Sequence, residues 1–190
     1  VSKILGELIT LIETDKRLGA KNEVLITLPI SGDTFGLPPN LHLIGTMNTA
    51  DRSIALIDTA LRRRFDFIAM DPKPEVLDSP SYVGEVKPSD FLSSLNKKLA
   101  EVFRDRDHAI GHAWFMPDGD KPRTQAQVLK AFKDKVVPTL TEWLWDSPEK
   151  LREILGDEIV DEYGKVDSAK LTNKCLSDMV CNATKPTPAS

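Results

Sequence analysis

Cysteine, aromatic residues and long apolar runs are all scarce in this sequence of 190 residues, and each shortage excludes something. The two cysteines, Cys175 and Cys181, stand six apart in a polar stretch with no histidine nearby. That excludes a disulfide framework and a zinc site, so no metal ligands are assigned and a reducing cytoplasm is the expected compartment. No run approaches the roughly 20 apolar residues that a membrane-spanning helix needs. Residues 1–10 carry Glu7 inside an amphipathic pattern, so neither a membrane segment nor a signal peptide is expected. A formal net charge of -4 removes any sequence-independent pull toward nucleic acid, and DNA contact is expected only through regions outside this chain. The sequon Asn182-Ala183-Thr184 is of a kind frequent by chance, and nothing else points to secretion.

What is present is enough apolar residue, 41%, for one substantial core or one core with a small appended lobe. Val1, Ile4, Leu5, Leu8, Ile9 and Ile12 fall at helical spacing. The chain opens inside this helix with neither an initiator methionine nor an N-cap, so the natural polypeptide is expected to continue upstream. Residues 23–28 read as a short strand and 29–40 as a turn-rich segment. The nearly continuous apolar run at 41–47 suits a central strand covered on both faces. A helix over 54–63 and a strand over 65–70 follow, and strand, helix, strand in this order predicts a parallel α/β sheet.

Beyond Pro74 the pattern becomes helical. Residues 90–103 carry Phe91, Leu92, Leu95, Leu99, Val102 and Phe103 on one stripe, with Ser89 or Asp90 as N-cap. Residues 107–123 read as non-helical, 124–145 as a helical region kinked or divided at Pro138, and 148–155 as a helix with proline in its first turn. The expected division is thus an α/β part at 1–74, a small helical lobe at 75–157 and a polar, partly disordered tail at 158–190.

Two groups of residues could carry chemistry. Asn48 stands at the carboxyl end of the expected central strand, where open α/β sheets place their ligands. An asparagine there can donate to a phosphate oxygen and accept from a water, orienting a nucleophile without adding charge. Equally, Asn48 or Asp51 could simply cap the helix that follows. Arg62, Arg63 and Arg64 end that helix, where cations suit the negative helix terminus. They also offer planar, permanently charged donors for a transferring phosphoryl group, and helical geometry lets at most two point the same way.

Met47-Asn48-Thr49-Ala50-Asp51-Arg52-Ser53, followed by Asp58-Thr59-Ala60-Leu61-Arg62-Arg63-Arg64-Phe65, resembles the McrB-type branch of the AAA+ nucleotide-hydrolysing proteins. So does Arg106-Asp107-His108-Ala109-Ile110-Gly111-His112-Ala113-Trp114-Phe115, which is similar to a segment of that branch's helical lid. The likeness runs from Val1 to about Asp157. It implies the C-terminal part of an AAA+ parallel-sheet core followed by a small helical lid subdomain. It implies that Asn48 is the sensor asparagine facing the terminal phosphate and the attacking water, and that Thr49, Asp51 and Arg52 belong to the same nucleotide-binding motif. Arg63 or Arg64 would reach the nucleotide of an adjacent subunit. His112, in the lid, could approach the nucleotide or could be a hydrogen-bonded histidine packed beside Trp114 and Phe115.

The departure from the family is as informative. No Gly-x-x-x-x-Gly-Lys-Ser/Thr loop and no acidic magnesium-holding stretch occurs in these residues. The resemblance therefore implies an intact protein that binds GTP, or ATP, with Mg2+, assembles as a homo-oligomeric, hexameric ring, and works with a McrC-like endonuclease in a modification-dependent restriction system. This chain alone is expected to be inactive. A MoxR-like, ATP-dependent remodelling chaperone is a second reading, and a non-catalytic α/β interaction module whose arginines meet an acidic partner is a third.

Overall fold

A computed structural model describes residues 6, 8–47, 59–116 and 119–183 of the chain. The chain divides into two compact units, Val1–Ala69 and Met70–Ser190.

In the first unit the amphipathic opening yields α1 (Leu8–Leu11), which buries Leu11 and runs into a 3-10 turn at Thr14–Lys16. Residues 1–5 and 7 of the expected helix lie outside the described residues. The expected strand at 23–28 shortens to β1 (Ile26–Thr27), which pairs antiparallel with β2 (Thr34–Phe35) in the register Ile26 to Phe35. The reversal between them needs a positive φ, +74°, which Gly32 supplies. Of the helix expected at 54–63, residues 54–58 are outside the described residues and the remainder is α2 (Thr59–Arg62), anchored by buried Leu61.

The parallel sheet is not formed among the described residues: the two-stranded β1–β2 ladder is the sheet present. Residues 41–47 and 65–70 belong to no ladder. The physical reason is visible in their surroundings. A parallel strand needs neighbours on its hydrogen-bonding edges and cover on its faces, whereas Ile44 is 95% exposed and Met70 90%, with Leu43, Phe67 and Ile68 also exposed.

The second unit has a closed helical core. Its central element, α3 (Pro88–Phe103), starts two residues before the expected 90, because Pro88 is pre-set for the first turn and Lys87 takes the capping position without a side-chain bond. Neither Ser89 nor Asp90 is the cap. The expected stripe is buried at Phe91, Leu92, Leu95, Leu99 and Val102. Phe91 meets Phe115 and Phe132 edge-on, with ring centroids 5.8 and 5.4 Å apart. The helix α4 (Gln125–Ala131) opens with a capping box, in which Thr124 and Gln127 satisfy each other's backbone N–H groups. It continues through a π-helical turn at Phe132–Val136 into α5 (Val137–Trp143).

That π turn is how the division expected at Pro138 is realised. Pro138 has no N–H and its ring would crowd the carbonyl four residues back. The wider turn, closed by the Val137 N–H donating to the Phe132 carbonyl, inserts a residue just before the proline and keeps Phe132, Val136 and Val137 buried. After α6 (Pro148–Leu155), which agrees with the expected 148–155, the polypeptide does not become a loose tail. Ile159, Val160, Leu171 and Leu176 are buried in the same core, Val160 and Val166 form an antiparallel bridge, and α7 (Asn173–Ala183) packs on α3 and α4. Over 158–183 the few apolar residues of the expected polar tail are spaced to cap the helical core, and 184–190 lie outside the described residues. The two compact units meet between Ala69 and Met70.

Candidate functional site

The site expected in the first unit is built around the end of α2. Leu61 faces inward, so Arg62 and Arg63 after it emerge at the surface, and the Arg64 N–H closes the last turn on the Leu61 carbonyl at 2.9 Å. The three arginines then separate in role. The Arg64 side chain is only 12% exposed; its Nη1 donates to the Ala60 carbonyl at 2.7 Å and its Nη2 forms an ion pair with Glu13 Oε1 at 2.5 Å. Arg62 and Arg63 are exposed, and neither has a side-chain partner among the described residues. Asn48, Thr49, Asp51 and Arg52 lie outside the described residues.

A second arginine in this unit, Arg17, went unread in the sequence. Its Nη1 donates to the Leu41 carbonyl at 2.7 Å and the Pro39 carbonyl at 3.3 Å, and its Nη2 donates to the Ile12 carbonyl at 3.1 Å. The acceptors are main-chain groups up to 24 residues away, so no local pattern announces them. Glu13 was missed for the same reason: its partner is 51 residues on, at Arg64.

His112 lies in the second unit, at the start of a 3-10 turn, His112–Phe115, whose Phe115 is buried. Its Nδ1 accepts the Lys73 backbone N–H at 3.2 Å, which places the proton of the neutral ring on Nε2. Around it the 106–115 segment is clamped to the core. Asn96 accepts the Ile110 N–H at 2.8 Å and donates to the Ile110 carbonyl at 3.0 Å, satisfying both groups of a buried residue.

Next to this clamp, buried His108 lies flat on Phe103 at 4.1 Å, edge-on to Trp143, with Nδ1 2.9 Å from both Asp105 oxygens. Burial pushes the Asp105 carboxyl up, but hydrogen bonds and charge from His108 outweigh it and hold the group below its ordinary value. Burial, aided by Asp178, pushes the Cys175 thiol up, the opposite of what a nucleophilic cysteine requires. Among the described residues no group of three or more His, Cys, Asp or Glu side chains could hold a metal ion, and no helix is long and apolar enough to cross a membrane.

Residues 87–152, from the start of α3 into α6, match the family model of the McrB alpha-helical lid domain. The chain is also 35% identical over 179 residues to the type IV methyl-directed restriction enzyme EcoKMcrB subunit of Escherichia coli (strain K12). This is an McrB-type C-terminal region. The similarity covers 83% of the chain and so reaches beyond the lid into the first unit, where the arginines stand. It covers 38% of the relative, so the chain spans well under half the length of that protein. The clamp of Asn96 on Ile110 and the Asp105–His108 pair are thus internal fastenings of an McrB-type lid, and the His112 bond ties that lid to Lys73 just before it.

Proposed function

We propose that this chain is the sensing and trans-acting part of an AAA+ nucleoside triphosphatase that serves a modification-dependent restriction system. The observation that carries the reading is the similarity to the McrB subunit across both units, joined to an exposed arginine at the end of α2. A guanidinium with no partner among the described residues is available to a neighbouring subunit. Of the two arginines left open as the finger, Arg63 is the better candidate, because Arg64 spends its donors on Glu13 and Ala60.

In this reading Asn48 orients the attacking water and Thr49, Asp51 and Arg52 complete the nucleotide contact, while Arg63 meets the charge spreading over a phosphoryl group bound by the adjacent subunit. Magnesium bound with GTP, or ATP, supplies neutralisation of the phosphate charge. The exposed apolar runs at 41–47 and 65–70 become strands of a parallel sheet whose neighbours come from outside this chain. McrC-like nuclease, DNA and further copies in a ring are the partners of the whole protein.

The sequence holds no phosphate loop, and the described residues hold no acidic cluster able to bind a metal ion, so most electrostatic stabilisation of phosphoryl transfer is missing. Purified as these 190 residues, it should release no phosphate from GTP or ATP above a protein-free control, while the natural full-length polypeptide should. Turnover by the 190-residue chain that is lost on substituting Arg63 would overturn the division of labour.

A further inference from the structure

The two arginine fastenings of the first unit converge on one corner. At the end of α1 the Ile12 carbonyl accepts from Arg17, and the next side chain, Glu13, pairs with Arg64. Through Arg17 the corner also holds the Pro39 and Leu41 carbonyls, at the entry to the run that leads to Asn48 seven residues on. Through Arg64 it holds the end of α2, where Arg63 is exposed. Leu11 and Ile12 are buried, so the corner has a fixed seat.

We propose that Ile12–Glu13 is a positioning node that fixes the 39–41 segment and the Arg63-bearing helix end relative to each other. Glu13, Arg17 and Arg64 are its positioning residues and touch no substrate. The physical argument is one of competition and geometry. Three consecutive arginines can present several rotamers to a phosphate, and a carboxylate that captures Arg64 removes one of them and fixes the helix end from which Arg63 projects. Arg17 does the same for the other arm with a rigid fork of donors to three main-chain carbonyls, which no lysine can reproduce. This inference rests on the triphosphatase reading above.

The test uses the natural full-length polypeptide. Glu13→Gln, Arg64→Gln and the double variant should each lower kcat about tenfold, with KM for the nucleotide changed less than about twofold, because small displacements of a reacting group cost rate rather than affinity. The double variant should be no slower than either single one, since both remove the same pair. Arg17→Lys should lower kcat further when added to Glu13→Gln, because it loosens the other arm. Hydrogen exchange supplies a readout independent of turnover: amides of 59–64 should exchange faster in Glu13→Gln, and those of 39–41 in Arg17→Lys, with the lid unchanged. Glu13→Asp, a milder change, replaces Glu13→Gln if the latter does not fold. Loss of turnover in Arg63→Ala with Glu13→Gln at the unaltered rate overturns the node and leaves the triphosphatase reading standing. Full activity of Arg63→Ala overturns both.

Discussion

The two units of this chain treat their apolar residues in opposite ways. In the second, Phe91 meets Phe115 and Phe132 edge-on within one buried core to which the helices contribute their apolar residues. In the first, Leu11, Ile12, Leu37 and Leu61 are buried while Leu43, Ile44, Phe67 and Ile68 face solvent. A helix satisfies its backbone within itself and needs cover on one stripe only, but a strand needs neighbours for both its hydrogen bonds and its faces. The lid is therefore complete in its own sequence. The first unit is held by arginine side chains reaching main-chain carbonyls, a substitute for the ladder that its apolar runs would otherwise make.

The contrast can be broken most directly by separating the units. Residues 70–183 alone should unfold in urea as one cooperative transition with a stability of several kcal/mol, roughly 5–15, while residues 1–69 alone should give no cooperative transition. Within the lid, Phe91→Ala removes the ring on which two others pack and should lower stability by about 3–5 kcal/mol, read from the urea midpoint.

A smaller effect comes from Asp105. Its carboxyl lies below the ordinary 3.8, so the pair with His108 stabilises the fold above that pH and the contribution is lost as pH falls through the lower folded value. The stability gap between the unaltered lid and Asp105→Asn should accordingly narrow as titrations step below pH 3.8. The smallest effect sharpens the contrast from the other side. Ile44→Ser should change the stability of this chain by no more than about 0.5 kcal/mol, as for a surface position, yet clearly destabilise the natural full-length polypeptide if 41–47 is a buried strand there.

How much of this was legible depended on the range of the interactions. The lid helices were readable because proline, capping threonine and apolar periodicity act within a turn: Pro88, Thr124, Pro138 and Pro148 each mark a boundary. The burial of Leu171 and Leu176 after α6 was not legible, because they are single apolar residues in polar surroundings and their burial depends on a helical face far away in sequence. The apolar runs at 41–47 and 65–70 carry a strand's composition, but composition does not supply the neighbour that makes a strand. In the candidate site the arginine cluster was visible in the sequence, and the division of its members was not. That division comes from Glu13, whose ion pair with Arg64 joins residues 51 apart.

In the proposed division of labour Asn48 acts within its own subunit while Arg63 acts on the next. Complementation between two slow variants of the natural full-length polypeptide tests it. Asn48→Ala and Arg63→Ala should each hydrolyse nucleotide at least about a hundredfold more slowly than the unaltered protein. Mixed, they should recover a substantial share of the activity, because an Arg63→Ala subunit keeps its own asparagine and receives an arginine from its Asn48→Ala neighbour. A mixture no faster than the average of the two separate preparations would contradict the claim.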